Sequence, residues 1–414
     1  MNIWILNHYA GSVEFGMEFR HYYFARELVS MGHDVTIIAG SYSHLRKKNP
    51  GITKPLEDWH EGIRFVWVPT CEYQGNGLGR IKSMLDYYKN SIFASKKLGI
   101  PDIILSSSPH PQACLAGIKI AKKKKCKCIS EIRDLWPEAL VYYKGLSKKS
   151  PLVKVLEHYE HKIYKKSDSM IFTKPGDIDY LREKGWLKSV GGKVDDKKCF
   201  YINNGVDLKA FNEQKDTQIF DELKTASANT FAVTYVGTIR EVNNVDMMLD
   251  AAKLLKNHTD IEFRIFGDGE ELERLEKRKR DEAIDNVVFY GRIEKQFIPY
   301  VLSRSSVNIL NYSPTMYNWT RGNSSNKLFE YMACGKPVIS TVEMGYSPIK
   351  EYDCGKEIAD CDGEKLAGII EEMKNLPAGK LEKMGENAAL AAQDFDYPEL
   401  TKKLLSVLEK TLEK

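Results

Sequence analysis

The sequence predicts an α/β protein made of two doubly wound, parallel-sheet domains. The chain has 414 residues, which suggests two or three domains at about 150 residues each. Short apolar runs alternate with helix-like stretches through the first half, and the alternation starts afresh at residue 232. Because strands that alternate with helices form parallel sheets covered on both faces, each half is expected to be one such domain.

The predicted strands are short and rich in β-branched residues. They lie at 2–7, 34–39, 63–68, 103–106, 128–132 and 169–173 in the first half, and at 232–236, 261–266, 286–290, 307–310 and 337–340 in the second. Helical patterns include 18–31, ended by Gly32, and 245–256. Helix-like stretches also fill the other gaps between strands, as a βαβ arrangement requires.

The domain boundary is expected in the polar segment 205–229, which has little apolar pattern. The first domain is therefore assigned to 1–208 and the second to 209–394. A final helix at about 395–414 could pack back on either half, and is assigned to the first. Two such sheets facing each other would leave a cleft at the carboxyl ends of their strands, where open α/β sheets bind ligands.

Composition narrows the class of protein. Hydrophobic residues make up 43% and charged residues 29%, which is typical of a globular chain. No apolar run reaches the roughly 18 residues of a membrane span. The start of the chain, residues 1–6, resembles a first strand, so a cytoplasmic protein without a secretion signal is expected. The eight cysteines are scattered without zinc-site spacing, which favours reduced thiols.

The charge is divided unequally along the chain. Residues 1–200 carry 33 Lys and Arg against 21 Asp and Glu, whereas the remaining residues carry 28 against 36. Opposite signs suggest that the two domains have different partners. A basic first half favours an anionic partner, such as nucleic acid, an anionic membrane surface or a phosphorylated acceptor.

The most informative stretch is 322–340. Ser324, Ser325 and Asn326 are residue types that cap helix N-termini, and Gly335 suits the helix end. A polar helix start at the carboxyl edge of a sheet favours phosphate. Glu330, one turn in, can accept two hydrogen bonds from ribose hydroxyls. The same pattern also fits a capped core helix with an exposed glutamate.

Two other readings are disfavoured by motif spacing. A dinucleotide dehydrogenase needs G-x-G-x-x-G after a strand, but Gly11 and Gly16 bracket a loop of a different pattern, and Gly267-Asp268-Gly269 lacks the third glycine. A donor-metal D-x-D motif is also not found in a suitable place. Asp360-Cys361-Asp362 has the spacing but lies late in the chain.

At this point the chain resembles a known family. It is similar to the retaining glycosyltransferase family 4, which has the GT-B fold, and more narrowly to the bacterial branch that adds amino sugars such as L-fucosamine in capsule or O-antigen assembly. The matching motifs, in order, are Gly11 with 15–18, 20–23, 32–35, 108–111, 133–138, 203–207, 237–240, 267–269, 289–292 and 322–340. This many motifs in one order is a specific resemblance.

The chain also departs from the pattern of many family members. Gly322 stands where they carry a second glutamate, eight residues before Glu330. Thr238 and Asn244 stand where they carry Arg and Lys. Arg240, Lys327 and helix N–H groups are then expected to balance the charge of the donor diphosphate.

The resemblance implies roles in the second domain. Glu330 would bind the ribose, and Ser324, Ser325, Asn326 and Lys327 would hold the diphosphate. Arg292 and Ile293 would frame the base, expected to be uracil, through their backbone. Gly237 and Gly267 would line the donor site, and Arg240 would stabilise the leaving group. Taken alone, Arg292 is also compatible with an ordinary surface charge.

The resemblance also implies roles in the first domain. His110 would lie under the donor sugar near the reacting centre, and Arg133 and Asp134 would face the same cleft. Gly11 and Gly16 would let the first loop approach the ligand. Simpler interpretations are a packed loop histidine for His110, a structural ion pair for Arg133 and Asp134, and a tight strand-to-helix turn for Gly11 and Gly16.

The implied reaction is sugar transfer with retention, using a UDP-sugar as donor and no cofactor or metal. The expected acceptor is a glycan carried on polyprenyl diphosphate at the inner membrane, and nucleic acid is not an expected partner. Membrane contact would use the helical stripe Leu78, Ile81, Leu85, Tyr88 and Ile92 and the lysines at 122–125, 127, 144, 148, 149, 154, 162, 165 and 166. A core helix beside a solvated basic surface fits the same residues. A GT-B UDP-sugar epimerase and a non-catalytic membrane- or nucleic-acid-binding protein remain alternatives.

Overall fold

The fold is taken from a computed structural model of the chain. The model describes residues 1–12, 14–16, 19–44, 46–75, 77–108, 110–224 and 229–413. The motif residues Met17, Glu18 and Pro109, part of the predicted boundary at 225–228, and Lys414 lie outside the described residues. The chain divides into two compact units: Met1–Asn203 with Tyr397–Lys414, and Asn204–Asp396.

The first unit contains an eight-stranded sheet. Its strands are β1 (Asn2–Leu6), β2 (Asp34–Gly40), β3 (Leu56–His60), β4 (Ile63–Val68), β5 (Ile103–Ser108), β6 (Lys127–Ile132), β7 (Ser169–Phe172) and β8 (Cys199–Tyr201). Its helices are α1 (Arg20–Ser30), α2 (Leu78–Ser95), α3 (Pro111–Lys124), α4 (Trp136–Lys144), α5 (Pro151–Lys166) and α6 (Gly176–Glu183). The strand order is β3-β4-β2-β1-β5-β6-β7-β8, and the pairs are parallel except β3 with β4.

The second unit contains a six-stranded parallel sheet. Its strands are β9 (Phe231–Val236), β10 (Ile261–Phe266), β11 (Val287–Gly291), β12 (Val307–Leu310), β13 (Val338–Ser340) and β14 (Gly355–Glu357), in the order β11-β10-β9-β12-β13-β14. Its helices are α7 (Leu208–Thr217), α8 (Val245–Leu254), α9 (Leu272–Asp281), α10 (Ile298–Ser303), α11 (Asn326–Ala333), α12 (Pro348–Glu351), α13 (Gly363–Lys374) and α14 (Ala378–Asp394).

The last helix, α15 (Tyr397–Leu412), belongs to the first unit. Its Leu400, Leu404 and Leu408 are buried in the same apolar cluster as α1, and the ring of Tyr397 lies 4.6 Å from that of Tyr23. The apolar stripe of α15 therefore covers one face of the first sheet.

The boundary between the units lies slightly before the predicted one. The second unit begins at Asn204 rather than at 209. Val206 forms a β-bridge with Asp396, and the Leu208 N–H donates to Asp396 Oδ1 at 3.1 Å. Residues 204–208 therefore belong to the second unit because they pair with its last residue, Asp396. The polar composition of this segment does not indicate that pairing.

Both sheets are covered on both faces, as the unbroken apolar strands predict. In β1, Ile3 and Ile5 pack with α1 and α15, while Trp4 and Leu6 pack with α2 and α3. The second sheet divides in the same way. Its β9 and β12 send side chains into one cluster with α8 and α13, and into another with α10, α11 and α14.

All strand-like runs predicted from the sequence are strands, with ends within two residues of those predicted. The helical patterns at 18–31 and 245–256 correspond to α1 and α8. The strands β3, β8 and β14 were not predicted. Within the described part of the chain, no helix combines the length and the apolar character needed to cross a membrane.

Candidate functional site

The strand order of the second sheet reverses between β9 and β12. From β9 the chain passes to β10 and β11 on one side, and then crosses to β12 on the other. The carboxyl ends of β9 and β12 are therefore neighbours, and the loops that leave them run in opposite directions. Such a switch point is where open α/β sheets bind ligands, and both loops carry residues expected to bind the donor.

Glycines allow the loops after β9 and β10 to pack against each other. Gly267 has a φ of +152°, and a side chain there would overlap the carbonyl of Gly237. A Cβ on Gly237 would lie 2.9 Å from Cδ of Lys327 and 2.8 Å from the Tyr235 hydroxyl. The two predicted donor-site glycines are thus needed for close packing beside Lys327.

The N-terminus of α11 lies at this switch point. Ser325 is the N-cap, but its side chain makes no capping hydrogen bond, while its N–H donates to Asn323 Oδ1 at 2.7 Å. The carbonyl of Ser324 accepts a hydrogen bond from Asn204 Nδ2 at 2.5 Å. The Leu328 N–H donates to the Ser325 carbonyl at 3.2 Å, but the N–H groups that precede it in the first turn have no intrahelical acceptor and would face an anion placed here.

Lys327 turns back from α11 over two tyrosine rings. Its Nζ lies 4.9 Å from the ring centroid of Tyr235, 4.6 Å from that of Tyr312, and 3.4 Å from the Tyr235 hydroxyl. Among the described residues, no carboxylate forms an ion pair with it. Burial and then the positive charge of Arg240 lower the pKa of Lys327 to about 7. The charged form of Lys327 therefore has no counter-charge in the described part of the unit, and burial makes that form costly.

One of the two tyrosines beside Lys327, Tyr235, is held by the loop after β9. The Tyr235 hydroxyl accepts from Asn243 Nδ2 at 2.7 Å and donates to the carbonyl of Thr238 at 2.8 Å. Asn311, directly after β12, donates from Nδ2 to the Asn243 carbonyl at 2.8 Å. These residues were not predicted from the sequence. Tyr235 near the end of β9 and Asn311 directly after β12 carry a weak signal, because each is a polar side chain at the carboxyl end of a buried strand.

Glu330 lies one turn further along α11 and is largely buried. Its Oε1 is 3.7 Å from Nζ of Lys295, which belongs to the loop after β11. The same loop carries Arg292, which is exposed, and Ile293, which packs against the apolar cluster of α10 and α11. Lys295 therefore links Glu330, which was predicted to bind ribose, to the loop that carries Arg292 and Ile293, which were predicted to frame the base. Lys295 itself was not predicted from the sequence. Arg240 is exposed beyond the β9 loop.

The first sheet has its own switch point, between β1 and β5. His110 follows β5 and is fully buried at the N-cap of α3. Its Nε2 lies 2.8 Å from Nδ1 of His8, which follows β1 and is also fully buried. Burial lowers the pKa of His110 to about 3, and burial followed by the nearby His110 lowers the pKa of His8 well below its usual value. Both rings are therefore neutral at physiological pH. His8 was not among the residues predicted from the sequence.

A second buried polar network lies beside this pair. Arg20 donates from Nε to Glu131 Oε1 at 2.9 Å and from Nη2 to the carbonyl of Ile202 at 2.9 Å. His21 Nε2 lies 2.7 Å from Glu131 Oε2. Burial by itself would raise the pKa of Glu131, but Arg20 and His21 outweigh it and hold that pKa well below the usual value. This network fixes α1 to β6 and to the last residues before the second unit.

Arg133 and Asp134 follow β6, and Lys174 contacts both of them. Lys174, which is buried, donates from Nζ to the Arg133 carbonyl at 2.9 Å and lies 3.9 Å from Asp134 Oδ1. The Thr173 hydroxyl also donates to the Arg133 carbonyl, at 3.2 Å. The Asp134 side chain is 57% exposed, so its carboxylate remains accessible. Lys174 is a further charged group that the sequence motifs did not identify.

The two glycines of the first loop have different surroundings. Gly11 is buried after the end of β1. Gly16 has a φ of +82°, and a Cβ there would lie 3.2 Å from Cγ of Lys47. The need for glycine at position 16 is therefore explained by the turn and by its contact with Lys47.

Two family models match the chain. The model described as Glycosyltransferase Family 4 matches residues 16–210, and the model described as Glycosyl transferases group 1 matches residues 216–391. Together they account for both units. The chain belongs to glycosyltransferase family 4.

Known proteins support this membership. The chain is 25% identical over 199 residues to TuaH of Bacillus subtilis, which is named as a teichuronic acid biosynthesis glycosyltransferase, and the match covers 45% of the chain. The matches span 44% and 60% of the lengths of two curated relatives.

Solved structures show the same GT-B fold as this family 4 member. Sucrose-phosphate synthase of Thermosynechococcus elongatus matches with a TM-score of 0.74 at 16% identity, covering 99% of this chain and 98% of the other. HepE of Anabaena, solved in complex with UDP and glucose, matches with a TM-score of 0.67 at 14% identity, covering 99% and 100%.

The structure gives a physical reason for two departures of this family 4 chain from the common motif. Gly322 has a φ of +94° and a ψ of −170°, a conformation almost restricted to glycine. Asn244 has a φ of +45° and a ψ of +44° at the N-cap of α8, in the left-handed region that asparagine tolerates better than lysine. Glycine at 322 and asparagine at 244 are therefore the residue types that suit the backbone conformation at those positions.

We expect Gly322→Ala to destabilise the second unit. A side chain in this conformation costs about 1–3 kcal/mol, which corresponds to a loss of several degrees in melting temperature for a unit of this size. Thermal unfolding of the purified variant would measure the loss. Gly99→Ala is the matched control, because Gly99 has an ordinary φ and open space around it. Equal melting temperatures for the two variants would contradict the assigned strain.

Proposed function

We propose that this chain is a retaining glycosyltransferase that moves a sugar, in particular an N-acetylated amino sugar, from a UDP-sugar to a glycan acceptor. The observation that carries the proposal is Lys327, which has no carboxylate partner among the described residues and lies beside the N-terminus of α11 at a sheet switch point. A diphosphate supplies the missing negative charge. We propose that Glu330, which lies one turn away and is largely buried, accepts hydrogen bonds from the ribose hydroxyls.

The proposed reaction breaks the bond between the anomeric carbon and the diphosphate oxygen. A bond from the same carbon to the acceptor oxygen forms on the same face, and the acceptor proton passes to the leaving diphosphate. The chief task of the protein is to stabilise the charge that the diphosphate gains. Lys327, Arg240 and the first-turn N–H groups of α11 would do so, and we propose that no metal ion is required.

The donor and the pathway are proposed on separate grounds. HepE was solved with UDP and glucose, which supports UDP as the nucleotide. TuaH carries a name from teichuronic acid biosynthesis, which supports a role in bacterial surface polysaccharide assembly. The motif resemblance to the L-fucosamine branch supports an amino sugar as the group transferred. We therefore propose a lipid-diphosphate-linked glycan at the cytoplasmic face of the membrane as acceptor.

A groove in the first unit supports contact with an anionic membrane. It has a volume of about 620 Å³ and lies where β6 and β7 begin, at the opposite edge from His8 and His110. Its lining includes four lysines, none of which pairs with a carboxylate among the described residues: Lys119, Lys122, Lys162 and Lys166. On α5, the exposed apolar residues Leu152 and Val155 lead to Tyr159 at the groove. Apolar side chains beside unpaired lysines suit an anionic lipid surface.

We expect UDP to raise the melting temperature of the wild-type chain, because a ligand that binds only the folded state stabilises it. Glu330→Ala should lose most of the shift, since two ribose hydrogen bonds go with the carboxylate. Hydrolysis and transfer with a panel of UDP-sugars, in the presence of EDTA, would then identify the donor. Glu343→Ala is the matched control, as Glu343 is an exposed glutamate of the same unit that pairs with Lys350 at the surface.

Three outcomes would count against this proposal. Absence of any UDP shift, together with salt-sensitive binding to vesicles or nucleic acid, would indicate a non-catalytic binding protein. Epimerised donor formed without an acceptor would indicate a UDP-sugar epimerase. Loss of turnover in EDTA, restored by a divalent cation, would overturn the metal-independent form of the mechanism.

We also expect UDP affinity to fall as the pH rises from 7 to 9. In the free protein Lys327 loses its proton above its pKa of about 7, whereas a bound diphosphate favours the charged form, so binding at higher pH takes up a proton. The phosphates of UDP are already ionised in this range. Titration calorimetry in buffers of different ionisation enthalpy would measure the uptake. Lys327→Arg should bind without this slope, because arginine stays charged, and a wild-type slope in this variant would contradict the assignment.

Membrane contact is tested with vesicles of phosphatidylglycerol and phosphatidylcholine. We expect sedimentation with the anionic vesicles only, weakened by salt because of screening. Lys162→Glu combined with Lys166→Glu should abolish most of it. The control, Lys256→Glu with Lys380→Glu, makes the same charge change at exposed positions of the second unit. Equal binding by both double variants would exclude the groove as the contact surface.

A further inference from the structure

The position of Lys327 is fixed by α11 and by the loop after β9. The Tyr331 hydroxyl, one turn further along α11, accepts from the Val236 N–H at 2.9 Å and donates to the Val236 carbonyl at 3.0 Å. Residues four apart share a helix face, so this pair of hydrogen bonds also sets Lys327 beside the end of β9. The lysine stem passes over Gly237, where a Cβ would lie 2.9 Å from Lys327 Cδ. Lys327 and Ser324 are only partly buried, so a ligand can reach them.

Two tyrosine rings meet the ammonium group, and each ring is held by contacts of its own. The ring of Tyr235 is fully buried, and the hydrogen bonds of its hydroxyl with Asn243 and Thr238 tie it to the loop after β9. Nζ of Lys327 lies 4.9 Å from the centroid of this ring. The position of Tyr235 therefore does not depend on the lysine.

The ring of Tyr312 is held by a separate set of contacts. Its N–H donates to Thr341 Oγ1 at 2.9 Å, its carbonyl accepts from the same hydroxyl at 3.2 Å, and its ring lies 4.6 Å from that of Trp319. Burial raises the pKa of Tyr312 to about 12, although hydrogen bonding with Ser325 opposes the rise. This neutral ring lies 4.6 Å from Lys327 Nζ.

A ring face and a carboxylate act differently on a lysine at a phosphate site. The negative face of an aromatic ring attracts an ammonium group within about 6 Å and so favours its charged form. A carboxylate also favours the charged form, but its own charge would repel a diphosphate a few ångströms away. Rings can therefore orient a cation without cancelling its charge.

We propose that Tyr235 and Tyr312 are positioning residues for phosphate binding, and that their ring faces hold the charged ammonium group of Lys327 beside the N-terminus of α11 without neutralising it. This inference rests on the proposed function, which supplies the diphosphate. The alternative is that the two rings only fill space around the lysine stem, a role that depends on ring shape alone.

Fluorinated phenylalanines at position 312 separate these two roles. Each fluorine weakens the negative face of the ring, whereas the shape of the ring changes little. Tyr312→Phe is the reference for the series, because it has the same ring without fluorine. We expect a trifluorinated ring to lower the pKa of Lys327, since the charged form loses the attraction of that face.

The effect on UDP binding should depend on pH. The pKa of Lys327 in the free protein is about 7, so at pH 8 the lysine of most molecules must take up a proton when UDP binds. There the trifluorinated ring should raise the dissociation constant of UDP roughly 2- to 5-fold over Tyr312→Phe, the contribution of one cation–π contact. At pH 6 the lysine is already charged, and the change should stay below about 1.5-fold. Titration of the phosphates cancels, because both proteins meet the same UDP at each pH.

The charged and titratable groups that face Lys327 are Tyr235, Tyr312 and Arg240. Burial holds the pKa of both tyrosines above the ordinary value, and arginine stays charged. Glu330, the acidic residue one turn further along α11, lies 3.7 Å from Lys295. Among these side chains, Lys327 is therefore the one whose charge is expected to change between pH 6 and pH 8.

A second measurement follows Lys327 without UDP. In full-length protein labelled with ¹³C at lysine Cε, the Lys327 signal, assigned with Lys327→Arg, should titrate at a lower pH in the trifluorinated protein than in Tyr312→Phe. Fluorotyrosine at position 235, which keeps the hydroxyl, should act in the same direction. The control places the same fluorinated rings at Phe231, which is buried at the opposite end of β9 from Tyr235. They should change neither the titration nor UDP binding.

The outcomes distinguish this inference from the proposed function. An unchanged lysine titration in the fluorinated series, or an equal loss of UDP affinity at pH 6 and pH 8, would overturn the positioning role and leave space-filling. A lowered lysine titration without UDP binding by the wild type at either pH would overturn the proposed function, and the phosphate role of the rings with it, while the contact between rings and lysine would stand.

Discussion

The positions of the functional residues follow from one constraint, the reversal of strand order beside the first strand of each sheet. In both units the first strand is central, and the chain crosses from one side of it to the other. Two loops then leave neighbouring carboxyl ends in opposite directions, and polar groups after those strands come together without a special fold element. His8 meets His110 in this way in the first unit, and Lys327 meets Tyr235 in the second.

The two switch points differ in the charge of the polar groups that they bury. The first holds neutral rings, whose burial is tolerated because His8 and His110 satisfy each other at one nitrogen. The second holds a lysine among tyrosine rings without a carboxylate partner in the described part of the chain. Ring faces offset only part of the desolvation of an ammonium group. An arrangement that costs stability in the free protein is understandable if a ligand with the opposite charge completes it.

The sequence predicts the central strands well because they are continuous apolar runs buried on both faces. It does not predict β3, β8 or β14, since edge strands pair on one side only and carry ordinary polar residues, as in Leu56–His60. The helix at 326–333, with Glu330 one turn from its start, was also predictable from caps and spacing. The partners Tyr312, Lys295 and His8 were not, because each is brought to its site from a distant segment by strand order.

The backbone explains why the charges of the donor site differ from the common family pattern. Gly322 and Asn244 occupy positive-φ conformations, so a glutamate or lysine at those positions would add backbone strain to any gain in binding. Without a lysine at 244, the phosphate binding proposed for this chain would depend chiefly on Lys327, which is the lysine that lies beside the N-terminus of α11.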